Sequence, residues 1–181
     1  MGGSGMLTAM LRMNGVILGS ALVAGCAAGG GGPAADRATS ASVEREVGAA
    51  LDALHEAAAA RADGAGYFAL FADDAVFLGT DEQERWTVAQ FRAYAEPLFA
   101  KGRGWTYTPT QRHVVVQAGG WASFDELLEN AKYGVCRGSG SVRRTDGGWK
   151  IVQYNLSVPI PNDLLPEVAE RIRAFKGSAK P

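Results

Sequence analysis

The sequence predicts an α+β fold in which N-terminal helices pack on a curved, mostly antiparallel sheet. The first half of the folded part carries apolar residues at helical spacing, and from Trp105 onward β-branched and aromatic runs alternate with glycine turns. With 181 residues, 47% of them hydrophobic and 20% charged, the chain is long enough for one domain with a core. Helices followed by a run of strands are typical of the α+β class.

The first two helices are predicted from apolar spacing and from glycine punctuation. A stripe with intervals of four, three and four residues predicts a helix from about Ser42 to Arg61, and its members are Val47, Leu51, Leu54 and Ala58. "ADGAGYFALFADD" predicts a short second helix, with Asp73 and Asp74 at its end as cap and turn residues. "AVFLGT" then predicts a strand.

The third helix has a clear start signal. Thr87 and Gln90 match a capping box. An apolar face is predicted from Phe91, Tyr94, Leu98 and Phe99. Pro97 is expected to kink or weaken the last turn before Gly102 stops the helix.

Four long antiparallel strands are predicted after Trp105. The segment "WASFDELLEN" (Trp121–Asn130) contains helix-favouring Leu and Glu, but it lies between turns with too few residues to leave the sheet and rejoin it as a helix. We therefore expect a strand. In "GSGS" (Gly138–Ser141) the glycines predict a bulge or close packing inside the next strand.

The N-terminus differs in composition, because 10 of the 24 glycines fall within the first 32 residues. Residues 1–25 are predicted to be a signal peptide, since the apolar run "VILGSALVAG" is too short to span a bilayer. "LVAGC" resembles the bacterial lipoprotein lipobox, which implies lipidation of Cys26 and stable membrane tethering. A plain secretory signal is the alternative. Residues 26–40 are predicted to be a linker, with Gly29–Gly32 as a flexible tether.

These features predict an exported protein of the bacterial cell envelope, anchored to the membrane by lipid on the periplasmic or the outer surface. If Cys26 carries lipid, Cys136 has no partner for an intramolecular disulfide and is expected to be a small buried residue. The domain is predicted over residues 41–162. Residues 163–181 are predicted to be an amphipathic helix and tail, with Asp163 as cap and a stripe of Leu165, Val168, Ile172 and Phe175.

Several function classes lack support. The formal net charge of −1 gives no electrostatic basis for binding nucleic acid. His55, expected at the solvent edge of a helix, and His113 are the two histidines, and no HExxH, CxxC pair, phosphate loop or GxSxG motif accompanies them. No metal site and no cofactor are therefore predicted.

The segment "YFALFADDAVFLGTDEQERWTVAQFRAYAEPLF", followed by "GGWKIVQYNLS", resembles the nuclear transport factor 2-like superfamily, in particular its SnoaL-like branch. The similarity covers roughly residues 43–162. Asp74, Phe77, Trp86 and the strand Trp149–Ser157 carry most of it. The resemblance implies a cone with a pocket at its open end, and a homodimer that pairs through the outer sheet face, expected at Val152, Tyr154 and Leu156.

Strand alternation then predicts which side chains face the pocket. In Trp121–Asn130, Glu126 shares a face with Ala122, Phe124 and Leu128 and is expected to point inward. An apolar pocket would raise its pKa and suit it to proton transfer. The alternatives are an ion pair with Arg137 or His113, or a register shifted by one residue that turns Asp125 inward.

The other candidates are aromatic walls and hydrogen-bond donors. In the last strand, Trp149, Ile151, Gln153 and Asn155 are expected to face inward. The predicted ligand-binding residues are Tyr67, Trp86, Tyr94, Trp105, Gln153 and Asn155. For Trp86 and Trp149 the alternative is a place in the core, which is more common for such tryptophans than a ligand contact.

Three functional hypotheses follow. The first is a membrane-tethered SnoaL-like protein that binds a small, largely apolar molecule. The second is an isomerase, cyclase or dehydratase-like enzyme with Glu126 as general acid or base, and the third is a non-catalytic dimeric interaction module. Whether the protein is an enzyme stays open at this point. An open pocket without a carboxylate of raised pKa favours the binder, and a filled cone favours the module.

Overall fold

The computed structural model describes residues 33–59 and 62–178. Its helices are α1 (Pro33–Ala59), α2 (Gly64–Ala69), α3 (Val88–Phe99) and α4 (Leu165–Ser178), the last preceded by a 3-10 turn at Asn162–Leu164. Its strands are β1 (Phe71–Leu78), β2 (Arg85–Thr87), β3 (Thr108–Gln117), β4 (Trp121–Asn130), β5 (Gly134–Thr145) and β6 (Gly148–Ser157). The predicted order of helices and strands is confirmed, except that the short strand β2 was not predicted.

The six strands form one sheet in the order β2-β1-β6-β5-β4-β3. All neighbouring pairs are antiparallel except β1 and β6, which run parallel. Helix α1 packs against β3 and β6, and α3 packs against β1 and β2. The helices therefore cover one face of a mostly antiparallel sheet, as the sequence predicts.

The core lies between these helices and the sheet. It combines aliphatic side chains from α1, including Val47, Leu51 and Leu54, with a cluster of aromatic rings. Tyr67 of α2 stands at the centre of that cluster, with its ring 5.2–6.0 Å from the rings of Phe68, Phe71, Phe91, Phe99 and Trp105. Edge and tilted contacts of this kind stabilise a core beyond the area that they bury.

Helix α1 begins at Pro33, nine residues before the predicted start at Ser42. Proline is well suited to the first helical position, and the alanines that follow favour helix. The last residues of the predicted linker, 33–40, are therefore helical. The predicted signal peptide at residues 1–25, Cys26 and the predicted tether at Gly29–Gly32 lie outside the described residues.

Helix α2 ends earlier than predicted, and the strand after it starts earlier. Asp63 caps the helix by accepting a hydrogen bond from the Gly66 backbone N–H at 2.9 Å. The expectation that Asp73 and Asp74 cap this helix is wrong, because both lie in β1 with exposed side chains. Asp74 instead accepts two hydrogen bonds from the Arg143 guanidinium, at 2.8 and 3.0 Å.

The capping box of α3 is confirmed. The Gln90 backbone N–H donates to Thr87 Oγ1 at 3.3 Å, and the Thr87 N–H donates to Gln90 Oε1 at 2.9 Å. Pro97 is accommodated inside the helix, which ends at Phe99 before Gly102 adopts a φ of 66°. Two members of the predicted apolar face are not core residues: Tyr94 is 54% exposed and Leu98 is half-buried.

Trp121–Asn130 is strand β4, as predicted, because turns at both ends hold it in the sheet. Its burial alternates strictly: Ala122, Phe124, Glu126 and Leu128 are all buried. Asp125 is exposed, so the shifted register is excluded. Cys136 of β5 lies opposite Leu128 and is fully buried, as expected.

A bulge in β6 overturns the alternation predicted there. Ser141 of β5 pairs with Gln153, whereas the next residue, Val142, pairs with Ile151, so Val152 is an extra residue. Trp149 and Ile151 face the core as predicted, but beyond the bulge Tyr154 is inside, 4% exposed, and Gln153 is exposed. The assignment of Tyr154 and Leu156 to the outer face is therefore wrong, since Leu156 lies two residues beyond Tyr154 on the same face and packs against the core.

The glycines of "GSGS" serve close packing, as the sequence suggests. A Cβ on Gly140 would lie 1.9 Å from the Gln153 carbonyl oxygen and 3.0 Å from Phe124 Cζ. A Cβ on Gly138 would lie 2.3 Å from the Tyr154 hydroxyl. Both glycines therefore allow β6 and its tyrosine to approach β5 at the bulge.

The C-terminal helix forms as predicted, but none of its side chains is fully buried against the rest of the domain. Val168 is half-buried, whereas Phe175 is 74% exposed. A hydrogen-bonded ion pair of 2.6 Å between Lys176 and Glu82 links α4 to the β1–β2 loop. Within the described residues no helix is both long and apolar enough to cross a membrane.

We expect Gly140→Ala to lower the free energy of unfolding by roughly 1–3 kcal/mol, because the added methyl group overlaps backbone atoms that cannot rotate away. Urea denaturation measures the change. Gly147→Ala is the matched control, since its Cβ would meet nothing closer than 3.8 Å. Equal stability of the two variants would contradict the close approach of β5 and β6.

Candidate functional site: an aromatic cleft above a buried carboxylate

Two adjacent cavities lie at one end of the sheet. The larger, hereafter the cleft, has a volume of about 240 Å³ and is open to solvent. The smaller, hereafter the inner pocket, has a volume of about 20 Å³. Both are lined by Phe77, Trp105, Tyr107 and Leu156, so these four side chains separate the cavities.

The walls of the cleft are mainly aromatic. Phe77 comes from β1, Trp86 from β2, and Phe91 and Tyr94 from α3. Trp105, Tyr107 and Tyr133 come from the segments before β3 and between β4 and β5. The rings support one another: Phe77 stacks on Phe91 at 3.9 Å, and Trp86 lies 4.9 Å from Tyr94.

The polar part of the cleft is the β1–β2 loop, which contributes Gly79, Thr80 and Glu84. Glu84 Oε2 accepts a hydrogen bond from the Asp81 backbone N–H at 3.2 Å, and its carboxylate lies against Gly79, where a Cβ would overlap it. Burial, together with the negative charges of Cys136, Tyr133 and Glu84 in their ionised forms, raises the pKa of Tyr107 to about 12. The Tyr107 hydroxyl is therefore protonated at neutral pH and can donate a hydrogen bond.

The inner pocket reaches the polar centre of the molecule. Leu54 and His55 of α1 line it together with Tyr67 and Tyr154. Burial and the nearby Glu126 carboxylate raise the pKa of Tyr154, so its hydroxyl stays protonated and able to donate. A ligand that passes Leu156 would meet the His55 ring and the Tyr154 hydroxyl.

Behind the inner pocket, Glu126 is 1% exposed and fully engaged. His55 Nε2 and the Tyr154 hydroxyl donate to Oε1 at 2.8 and 3.0 Å. Arg112 Nε donates to Oε2 at 2.9 Å, and Arg112 Nη2 lies 2.9 Å from the same oxygen without hydrogen-bond geometry. The three partners come from a helix and two strands, so Glu126 joins them at one point.

Arg112 extends this cluster to helix α1. Its Nη1 donates to the Gly48 carbonyl oxygen at 3.1 Å and to Asp52 Oδ1 at 2.8 Å. Gly48, Asp52 and His55 follow one another at intervals of four and three residues and therefore lie on one helix face. The sheet thus holds α1 by this polar face as well as by its apolar stripe.

The expected upward shift of the Glu126 pKa is wrong. Burial alone would raise the pKa, but the hydrogen bond and charge of His55 and the charge and hydrogen bond of Arg112 outweigh burial and lower it below its ordinary value. The expected partners are also wrong, since His113 and Arg137 are exposed and point away. Glu126 is an ionised, hydrogen-bonded structural centre that lines neither cavity.

The remaining sequence candidates divide into two groups. Tyr67, Trp86, Tyr94 and Trp105 line the cleft or the inner pocket. Gln153 and Asn155 line neither, because the Val152 bulge moves them out of the predicted face. His55 is not at the solvent edge: its side chain is 11% exposed and contacts Glu126.

The sequence did not identify His55, Arg112 and Tyr154 as site residues. It also did not identify three residues of the cleft wall, Tyr107, Tyr133 and Glu84. A usable signal was present on α1, where Gly48, Asp52 and His55 repeat beside the apolar stripe at helical spacing. Tyr154 could not be found by alternation, since the bulge has no marker in the β6 sequence itself.

A cone of helices on a curved mixed sheet, with a cavity at one end, defines the nuclear transport factor 2-like fold. Residues 47–161 match the model of the SnoaL-like domain. The chain belongs to that family. A comparison with curated proteins finds no match.

Solved structures support the same fold at low sequence identity. A nuclear transport factor 2-like protein of unknown function from Pseudomonas putida is 20% identical, with a TM-score of 0.57 over 67% of this chain and 90% of that chain. A proposed aromatic ring hydroxylase from Novosphingobium aromaticivorans is 22% identical, with a TM-score of 0.56 over 67% and 92%. A proposed dehydratase of the same superfamily from Streptomyces avermitilis is 19% identical, with a TM-score of 0.53 over 67% and 99%.

We expect Glu126→Gln to lower the free energy of unfolding at pH 7 by about 3 kcal/mol, because it leaves the part-buried Arg112 with Asp52 as its remaining ionic partner. Asp125→Asn is the matched control on the exposed face of the same strand, and its change should stay within about 0.5 kcal/mol. Urea denaturation of both variants makes the comparison.

The pH dependence of the Glu126→Gln effect tests whether folding lowers the pKa of Glu126. A carboxyl group whose pKa is lower in the folded than in the unfolded protein stabilises the fold above its unfolded pKa of about 4.3. This stabilisation is lost as the pH falls through the pKa of the folded protein. The stability difference between the wild type and Glu126→Gln should therefore shrink as the pH falls below about 4.3. A difference that grew over that acid range would contradict the lowered pKa.

Proposed function

We propose that the protein binds a small, largely apolar molecule in the aromatic cleft, and that it does so at the bacterial cell envelope, tethered by lipid on Cys26. The observation that carries the proposal is the cleft itself, a concave space of about 240 Å³ that seven aromatic side chains and Leu156 line. Ligand sites in proteins are typically concave and apolar with a few polar groups.

The geometry gives little support to Glu126 as a general acid or base. A residue in that role must reach the reacting atoms and hold a pKa near the working pH. Glu126 lines neither cavity, both its oxygens are occupied, and its pKa is lowered. The similar structures proposed to be a hydroxylase and a dehydratase do not support a catalytic role for Glu126, because a sequence identity below 25% indicates a shared fold and not a shared reaction.

The open cleft also favours the binder over the interaction module. Aromatic side chains surround the cavity without filling it, and Tyr94 and Tyr133 remain about half-exposed at its walls. A module whose cone had lost its ligand would be expected to fill this space with side chains. Pairing of two copies through the outer sheet face is compatible with binding and is part of the proposal.

Native mass spectrometry of the full chain, purified from its own host in mild detergent, tests the binding. We expect a co-purifying small molecule in the wild type and at least a tenfold lower occupancy in Tyr94→Ala, which removes a wall of the cleft. Phe175→Ala is the matched control, since Phe175 is an exposed ring on α4 outside the cleft.

The same spectra count the copies in each complex. A wild-type protein that is empty in every preparation, or equal occupancy in Tyr94→Ala and the wild type, would contradict ligand binding in the cleft. A monomeric mass would contradict the homodimer without affecting the ligand.

The tether has its own test. Cys26→Ala removes the thiol that lipidation needs, so the variant should move from the membrane fraction to the soluble fraction when cells are broken. Cys136→Ala is the control, because its buried thiol lies in the domain. Membrane association that survives Cys26→Ala would contradict the lipid anchor.

A further inference from the structure

The cleft has an electrostatic character that its apolar lining does not explain. Among the described side chains that line it, Glu84 is the one with a formal charge at neutral pH, and none is basic. We propose that the cleft selects a small organic cation, a quaternary or tertiary ammonium group with apolar substituents. This inference rests on the proposed binding function and specifies the chemical class of its ligand.

Aromatic rings are the first reason. The faces of Trp, Tyr and Phe rings carry partial negative charge and attract a cation that lies within about 6 Å of the ring centre. The cleft brings together two tryptophans, Trp86 and Trp105, with three tyrosines and two phenylalanines. An alkylated ammonium group suits such walls because its methyl groups pack on the rings while its charge interacts with them.

The fixed carboxylate is the second reason. Glu84 is half-buried, and two backbone contacts hold it: the Asp81 N–H bonds its carboxylate, and its own carbonyl oxygen accepts from the Gly79 N–H at 2.8 Å. A carboxylate that is already positioned loses little side-chain freedom when a cation arrives. It attracts a positive ligand and repels a negative one.

Lys132 is a basic side chain next to the cleft, but it is not one of the lining residues. Lys132 donates to the Tyr133 hydroxyl at 2.9 Å, and its ammonium group lies 4.7 Å from the centre of the Tyr133 ring. The lysine is exposed, so water and salt screen its charge. The contact also shows that an ammonium group lies within cation–π distance of one aromatic ring of this wall, that of Tyr133.

The size of the cleft limits the ligand. Pockets for drug-sized molecules are commonly about 300–1,000 Å³. A volume of about 240 Å³ therefore can enclose a compact ammonium compound, but not the whole of a long chain or a fused multi-ring body. The inner pocket adds about 20 Å³ beyond Leu156, which is too little for a second group of the same size.

Three probes of equal shape and different charge test the proposal. Choline is the cation, 3,3-dimethylbutan-1-ol is its neutral counterpart with carbon in place of nitrogen, and 3,3-dimethylbutanoate is the anion. Each is titrated into the full chain labelled with nitrogen-15, and the indole N–H signals of Trp86 and Trp105 report occupancy of the cleft. Trp121 and Trp149, which lie elsewhere, are internal controls.

We expect choline to bind at least about fivefold more tightly than the neutral alcohol, and the anion to bind most weakly. Glu84→Gln should reduce the choline affinity about threefold or more and leave the alcohol unchanged. Glu82→Gln is the matched control, since it removes the same charge from the same loop but does not line the cleft. Added salt should weaken choline binding and not alcohol binding.

The outcomes separate this inference from the proposed function. Equal or tighter binding of the alcohol, or choline binding that Glu84→Gln does not change, overturns the preference for a cation and leaves apolar ligand binding intact. Shifts at Trp121 or Trp149 instead of Trp86 and Trp105 overturn the assignment to the cleft. If none of the three probes moves any indole signal, the preference is overturned, and the native mass spectra decide separately whether any ligand binds.

Discussion

The structure depends on one buried interaction, the engagement of Glu126 by His55, Arg112 and Tyr154. A carboxylate that is removed from water is costly unless hydrogen bonds and opposite charge compensate for it. Here the compensation comes from α1, β3 and β6 together, so the elements cannot move apart without exposing an unpaired charge. The same contacts hold His55 and Tyr154 at the floor of the inner pocket.

The bulge at Val152 and the glycines opposite it determine where that interaction forms. Without the extra residue, alternation along β6 would place Tyr154 on the outer face of the sheet. Gly138 faces Glu126 across the β4–β5 pair, and its missing side chain leaves the path along which the Tyr154 hydroxyl reaches the carboxylate. Glycine in a strand weakens it locally, and this close approach is the compensation.

The site therefore has two layers with opposite physical character. The buried layer is a saturated ionic cluster, whose carboxylate is stabilised in its charged form. The outer layer is an aromatic cleft that is open to solvent and has one carboxylate at its wall, with no basic side chain among the described residues that line it. The outer layer is the part that a ligand of the proposed kind would contact, because the groups of the inner layer already bind one another and hold the floor of the inner pocket in place.

The sequence by itself determined the order of elements, the capping box of α3, the strand at Trp121–Asn130 and the inward direction of Glu126, because these depend on local spacing and on turns. It also placed four aromatic residues correctly around the cavities. Only the tertiary structure decided that His55 and Arg112 compensate the negative charge of Glu126. It also decided that Tyr154 lies inside the domain, where Gln153 and Asn155 were expected. A pKa depends on partners that are distant in sequence, 71 residues away for His55, and a bulge depends on packing between strands.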